Sequence, residues 1–213
     1  MSEGFDSPRL HQKLAESGSA VRLNDFLFFI NKRVYNMEYR DQLMKTKKVF
    51  VVPYNEQWSK EFEKIKVEII AALGQLAVSV EHVGSTSVQG LWAKPIIDID
   101  VVISDIRLLP QVINNLENIG YYYEGNLGIE GREAFRYDNK PEFMLHHLYV
   151  CPQNSKELKR HIAFRDYLRA NSGAVREYNQ VKREGAALFP EDIEAYIQYK
   201  SSIIEKIYQC CGL

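Results

Sequence analysis

The sequence contains little cysteine and no long apolar run, and both absences narrow the class of protein. Its three cysteines, Cys151, Cys210 and Cys211, form no CxxC pair, which argues against a structural zinc site. We interpret them as reduced thiols of a cytoplasmic protein. The apolar stretch FLFFI, Phe26 to Ile30, is much shorter than the roughly 20 residues that a membrane-spanning helix needs. We therefore expect no membrane partner.

The sequence also lacks an excess of charge of either sign. Its 213 residues include 27 Lys plus Arg and 28 Asp plus Glu, for a net charge of -1 at pH 7. This balance gives no electrostatic case for nucleic acid as a partner. The chain is 46% hydrophobic and 26% charged, as is common for globular proteins, and its length suits one sizeable core with or without an appendage. A homodimer is compatible with the sequence, but no feature demands one.

Residues 1–47 differ in pattern from the rest of the chain. The first 20 or so are polar and rich in Ser and Gly, and we expect them to be poorly ordered. From Val21 to about Lys45, apolar residues recur at steps of three and four, which predicts an amphipathic helix. We interpret this segment as an N-terminal extension, either an arm packed on the main domain or a partner-binding helix. A start site at Met37 or Met44 is a third alternative.

The main domain is predicted to begin at residue 48 and to mix strands with helices before ending in a helical part, an α+β arrangement. The periodicity and the turn residues predict strands over Val49–Tyr54, Leu76–Val83, Ile96–Ile103, Tyr121–Glu124, Arg132–Tyr137 and Phe143–Val150. They predict helices from Asn55 to Leu73, from Leu108 to Ile119, from Ser155 to Ala170 with a stop near Gly173, from Ala174 to Phe189, and from Glu191 to the C-terminus.

Two aspartates lie inside the predicted strand Ile96–Ile103. Side chains two residues apart point the same way, so Asp98 and Asp100 share one face, roughly 7 Å apart at the backbone. Two carboxylates so close repel each other, and a divalent cation between them removes the conflict. We therefore predict a site for Mg²⁺ or Mn²⁺ at these residues. The alternative is an ordinary solvated strand face.

A small-residue turn precedes this strand by about a dozen residues. Gly84 lets the backbone approach a ligand closely, and Ser85 and Thr86 offer hydroxyl and N–H groups that suit a phosphate. A phosphate at the turn and a metal at the aspartates are the geometry of phosphoryl or nucleotidyl transfer, in which positioning and charge stabilisation supply most of the catalysis.

The stretch EHVGSTSVQGLWAKPIIDIDVVI, Glu81 to Ile103, resembles the GrpB family. Further segments resemble later motifs of that family: VVPYNEQW, HHLYV, HIAFRDYLRAN, YNQVKRE and FPEDIEAYIQYKSSII. The resemblance covers residues 48–208. It implies a nucleotidyltransferase-like fold of the DNA polymerase β type, a mixed β-sheet flanked by helices, with a helical cap from about residue 153 to 208.

The resemblance also implies a third carboxylate on a later strand, and this sequence departs from that pattern. The predicted strand Phe143–Val150 contains no acid, and Tyr149 replaces a histidine that is usual in the family. We predict that His147 stands in as base or metal ligand. A core histidine bonded to a backbone carbonyl is the alternative. His82, before the turn, is predicted to orient other groups of the site rather than to bind metal.

Basic residues recur within or near these motifs, and we predict that they bind the substrate phosphate: Lys94, Arg132, Arg136, Arg165, Lys182 and Lys200. Each taken alone could be a solvated surface charge. The leading hypothesis is metal-dependent nucleotidyl or phosphoryl transfer on a nucleotide or a phosphorylated small molecule. The alternatives are a non-catalytic module that binds a nucleotide, a coenzyme or another protein, and a metal-dependent phosphohydrolase.

Overall fold

The computed structural model describes residues 48–213, and the predicted N-terminal extension, including its amphipathic helix, lies outside the described residues. The described strands are β1 (Ser79–Val83), β2 (Ile97–Ile103), β3 (Tyr121–Gly125), β4 (Glu133–Tyr137) and β5 (His146–Pro152). The helices are α1 (Gln57–Leu73), α2 (Leu109–Glu117), α3 (Lys156–Ala170), α4 (Ser172–Leu188) and α5 (Ile193–Cys210).

The five strands form one mixed sheet in the order β1-β2-β5-β4-β3. Strands β2 and β5 run parallel, and every other neighbouring pair is antiparallel. A parallel pair needs a long crossover, and here the chain from β2 to β5 passes through α2 and the hairpin β3–β4. The predicted α+β class, a mixed sheet flanked by helices, is confirmed. No helix within residues 48–213 has the length and apolar character needed to cross a membrane.

Strand β2 belongs both to the core and to the candidate site, because its two faces carry different side chains. Ile97, Ile99 and Val101 are fully buried in the main core, where they join apolar residues of α1 and α2. Asp98 and Asp100 alternate with them and lie on the opposite face, as the period of two predicts. The apolar positions of α1 that enter this core are spaced by three and four residues: Trp58, Phe62, Ile65 and Ile69.

The three C-terminal helices build a second core that also holds the segment after the glycine-serine turn. The sequence predicts either Asn154 or Ser155 as the cap of α3, and it is Ser155 that accepts a hydrogen bond from the N–H of Leu158. Val88 and Leu91, which follow the turn, are buried among side chains of these helices, including Leu168, Tyr178, Ile203 and Ile207. The turn is therefore fixed between the sheet and the helical part.

Four predicted boundaries are wrong. Strand β1 begins at Ser79 rather than at Leu76, because Gly74–Leu76 forms a short 3-10 helix. The segment Val49–Tyr54 is not a strand but forms a single bridge, Val52 to Ala93, before Pro53, which has no N–H to donate. Strand β5 begins at His146 rather than at Phe143, because the N–H of Phe143 donates to Lys140 in a turn. Gly173 does not end a helix but lies inside α4, since the break comes at Asn171.

Candidate functional site

The two aspartates of β2 lie between β1 and β5. Asp98 is opposite Val83 on one side and His147 on the other, and Asp100 is opposite Glu81 and Tyr149. Their exposure differs, because the side chain of Asp98 is 32% exposed while that of Asp100 is completely buried. The pair therefore offers one carboxylate that is partly exposed and one that is buried.

Asp98 is hydrogen bonded to His147, with 2.8 Å between Nδ1 of the imidazole and Oδ1 of the carboxylate. Partial desolvation would lower the pKa of His147, but the hydrogen bond and the charge of Asp98 outweigh it and raise that pKa. The imidazole is half-exposed. Strand β5 thus places a titratable ring where the resemblance implies a third carboxylate.

Asp100 is hydrogen bonded to His161 of α3, with 2.7 Å between Nδ1 and Oδ2. Burial raises the pKa of Asp100 against the opposing effect of His161. Burial also acts to lower the pKa of His161, but Asp100 reverses the shift and raises it. The second oxygen, Oδ1, is buried and has no hydrogen-bond partner within residues 48–213. Sequence reasoning did not select His161, although it lies in one of the family-like motifs.

Gly84 brings the turn directly against Asp98. Its φ of +67° is in the left-handed region, and a Cβ at this position would lie 2.1 Å from Oδ2 of Asp98. The turn is closed by Ser87, whose hydroxyl donates to the carbonyl of Gly84 at 2.6 Å. A side chain at residue 84 is therefore excluded both by the backbone and by the carboxylate.

The hydroxyl of Thr86 is turned into the protein, so the phosphate contact predicted for this residue stays a prediction for its N–H group alone. It donates to the carbonyl of Ile96 at 3.1 Å, so it accepts from Nε2 of His82 at 3.0 Å. His82 in turn stacks on Phe62, and burial lowers its pKa to about 4. These contacts join the turn to the start of β2 and agree with an orienting role for His82.

Two lysines from the helical part reach the other side of the turn. Nζ of Lys182, which is 3% exposed, lies 2.6 Å from the hydroxyl of Ser85. Burial, with the charge of Lys200 added, holds the pKa of Lys182 well below its usual range. Burial lowers the pKa of Lys200 to about 8, partly offset by the charge of Asp98. Among residues 48–213, neither lysine is within ion-pair distance of a carboxylate.

Two other basic residues predicted to bind phosphate, Arg165 and Arg136, lie in different parts of the structure. Arg165 donates to Glu81 at 2.8 Å and to the carbonyl of His82 at 3.2 Å, so it ties α3 to β1. Arg136 lies over the ring of Tyr122 and pairs with acidic neighbours at the far edge of the sheet, away from the aspartates. Both arginines are therefore paired with carboxylates in this structure, and their phosphate contacts stay predictions.

Arg132 and Lys94 lie closer to the carboxylates. The guanidinium of Arg132 is 4.3 Å from the ring centre of Tyr149, and its buried Nε has no partner in the described part of the chain. Its charge acts on Asp100 and His147. Burial lowers the pKa of Lys94, whose charge also reaches His147. The structure thus gathers Lys94, Arg132, Lys182 and Lys200 around the carboxylates and leaves out the other two cations.

The carboxylates suit a cation bound partly by its substrate. Within residues 48–213 no three side chains of His, Cys, Asp or Glu form a ready metal site. The partnerless Oδ1 of Asp100, however, is an acceptor that a cation would satisfy, and Asp98 lies two residues away on the same face. Mg²⁺ is commonly held by one or two carboxylates with phosphate and water completing its shell, and this donor set fits that pattern.

Comparison with known proteins identifies a family to which this chain is similar. The model of the family described as GrpB protein matches residues 48–210. The chain is 32% identical over 162 residues to the glutamate-rich protein GrpB of Alkalihalophilus pseudofirmus, covering 75% of this chain and 93% of that protein. It is 34% identical over 163 residues to YqkA of Bacillus subtilis, covering 76% of this chain. The match spans about half of YqkA, 47% of its length.

Solved structures include a member of the same family. The conserved protein GrpB from Enterococcus faecalis has a TM-score of 0.67 and 35% identity, over 76% of this chain and 96% of its own. The poly(U) polymerase Cid1 matches at a TM-score of 0.44 and 10% identity, over 70% of this chain and 43% of its own.

Proposed function

The chain belongs to the GrpB family, and from its site we propose that it binds a nucleotide or a phosphorylated small molecule with Mg²⁺ or Mn²⁺ and transfers a nucleotidyl or phosphoryl group. The site lies between β2 and the helices α4 and α5. The substrate class and the cation are those that the sequence pattern predicts, and residues of this site would contact both.

One observation carries the proposal, which is that cation-binding and anion-binding groups meet at two consecutive residues. Gly84 touches the carboxylate of Asp98, and the hydroxyl of Ser85 touches the ammonium of Lys182. A phosphate with a bound divalent cation needs both kinds of partner within a few ångströms. Lys200 adds a second ammonium without a carboxylate partner in the described chain, so an arriving phosphate would relieve the repulsion between the two lysines.

Phosphate binding, cation binding and proton acceptance would fall to different residues of the site. Lys182, Lys200 and Ser85 would bind the phosphate oxygens, while Asp98 and Asp100 would hold the cation, which supplies charge neutralisation at the phosphate. An acceptor hydroxyl would form the new P–O bond as the P–O bond to the leaving phosphate breaks. The free Nε2 edge of the half-exposed His147 ring is the available group for the hydroxyl proton, since Nδ1 is bonded to Asp98.

Thermal unfolding with a panel of nucleotides and coenzymes, with and without Mn²⁺, tests the proposal. A ligand that binds only the folded chain must raise the midpoint. We expect a shift that requires Mn²⁺ and that disappears in Asp98→Asn/Asp100→Asn. Asp138→Asn, an exposed carboxylate at the far edge, should keep the shift. Absence of any shift across the panel would refute the proposal.

A non-catalytic binding protein is the second candidate, and the composition of β5 favours it. The two residues opposite the aspartates are His147 and Tyr149, with no carboxylate. Incubation of the protein with a labelled form of the nucleotide that raises its unfolding midpoint distinguishes the candidates. A labelled product attached to an acceptor indicates transfer, a product released to water indicates phosphohydrolysis, and unchanged nucleotide at full occupancy indicates binding alone.

A further inference from the structure

The carboxylate of Asp100 is held from one side only. Oδ2 accepts a hydrogen bond from His161 at 2.7 Å, while Oδ1 has no partner in the described chain although it is buried. A buried carboxylate oxygen without a partner costs free energy, and the cost is greater for a charged group than for a neutral one. The arrangement is therefore explained best if Oδ1 is kept for something that binds there.

His161 cannot move freely, because the helix that carries it is anchored at three successive turns. Arg165, four residues on, donates to Glu81 at 2.8 Å and to the carbonyl of His82 at 3.2 Å. Arg169, eight residues on, donates twice to the carbonyl of Ser87, at 2.9 and 3.1 Å. Residues spaced by four share one face of a helix, so a single stripe of α3 contacts β2, β1 and the turn.

The two histidine–aspartate pairs differ in a way that separates their roles. His147 comes from the neighbouring strand, and its side chain is 52% exposed, so solvent and an acceptor can reach it. His161 comes from a helix, its side chain is 22% exposed, and it bonds to a carboxylate that is completely buried. A group that is shielded and anchored in this way is suited to fixing its partner rather than to exchanging protons with solvent.

We propose that His161 is a positioning residue, which donates its Nδ1–H to Oδ2 of Asp100 and thereby turns Oδ1 toward the divalent cation. The inference rests on the proposed function, since it requires a cation at the aspartates. Hydrogen bonds to the far oxygen of a ligand carboxylate or to the far nitrogen of a ligand histidine commonly set metal affinity, and their loss costs about 10- to 100-fold.

Mn²⁺ titration of the full-length chain, with free Mn²⁺ measured by electron paramagnetic resonance, tests this inference without needing a substrate. His161→Asn keeps an amide nitrogen near the position of Nδ1, whereas His161→Gln moves it to the region of Nε2. We expect His161→Gln to weaken Mn²⁺ binding about 10- to 100-fold and His161→Asn to bind nearly as tightly as wild type. Lys159→Gln, on the exposed side of α3, is the matched control and should change nothing.

Unfolding temperatures measured without metal show whether a variant acts through the fold. The expected result is a loss of affinity in His161→Gln at an unfolding temperature close to that of His161→Asn. Equal affinity of wild type and His161→Gln, with binding still lost in Asp98→Asn/Asp100→Asn, would overturn the positioning role and leave the proposed function standing. Equal weakness of the Asn and Gln variants would overturn it in favour of direct ligation by the imidazole. No Mn²⁺ binding by wild type would overturn both proposals.

Discussion

At the scale of single residues, Gly84 is the position where backbone geometry and site chemistry coincide. We predict that Gly84→Ala destabilises the fold by more than the strain of a positive φ alone, which is roughly 1–2 kcal/mol. The added Cβ would meet Oδ2 of Asp98 at 2.1 Å, and the carboxylate would have to move, at a further cost of about 1–3 kcal/mol. Urea unfolding of the full chain measures the difference.

Gly90 provides the matched control for this prediction. Its φ is +79°, but a Cβ there would meet nothing within 4 Å. Gly90→Ala should therefore show the backbone strain alone. Equal losses of unfolding free energy in the two variants would mean that Asp98 yields without cost, which would contradict a tightly fixed carboxylate.

Single residues also differ in whether their place in the site can be predicted from the sequence. Asp98 and Asp100 could be placed on one face because strand periodicity is local. The pairing of Asp100 with His161 spans 61 residues and depends on how α3 docks, which no local pattern encodes. The family-like motif around Arg165 and the strand face that Arg136 shares with Arg132 predict phosphate contacts, but the pairing of Arg165 with Glu81, 84 residues away, depends on the fold.

At the scale of elements, most helices and strands were predictable and their ends were less so. Ser155 and Gly74 mark helix ends by chemistry that reads directly from the sequence. The segment Val49–Tyr54 has the apolar residues of a strand, yet among residues 48–213 it forms one bridge, because no strand of this part of the chain lies along it. Strand formation requires a partner, and the partner is decided by tertiary packing.

Asn179 of α4 clamps the link between the turn and β2, and we predict that Asn179→Ala loosens the two elements. Its side chain accepts from the N–H of Trp92 at 2.6 Å and donates to the carbonyl of Gly90 at 2.9 Å. Removing it leaves the part-buried N–H of Trp92 without its acceptor, while the exposed carbonyl of Gly90 can turn to water, so we expect a loss of about 1 kcal/mol in urea unfolding. Gln180→Ala, which loses only a surface contact to Glu184, should change stability by less than about 0.5 kcal/mol. Equal effects of the two variants would rule out the clamp.

At the scale of the whole molecule, the site lies between the core of the sheet and the core of the C-terminal helices. The sheet core supplies β2 with its carboxylates, and the helical core supplies the lysines and buries Val88 and Leu91 after the turn. Neither part holds a complete set of phosphate and cation partners. Packing of the two parts therefore builds the site, and global stability and ligand binding should be linked. The cytoplasmic location stays a prediction from the sequence, and a homodimer is compatible with the sequence without being required by it.

The free energy of unfolding should also depend on pH through His82, which lies between α1 and the turn. Its pKa falls from an ordinary 6.5 to about 4 because burial disfavours the imidazolium. The unfolded chain therefore binds the proton more readily between these values. The contribution of neutral His82 is complete above about pH 6.5 and is lost as the pH falls toward 4, up to about 3 kcal/mol.

Unfolding free energies measured from pH 4 to pH 8 on wild type and His82→Gln test this contribution. The glutamine amide can still donate to Thr86 but does not titrate in this range, so the other ionisable groups contribute alike to both proteins. We expect the stability difference between the two proteins to shrink as the pH falls from 6.5 to 4. The ring of Phe62 and the hydroxyl of Thr86 carry no negative charge, so they do not offset the cost of burying a charged imidazole. A difference that stays constant across this range would show that His82 binds its proton equally well in the folded and unfolded chains.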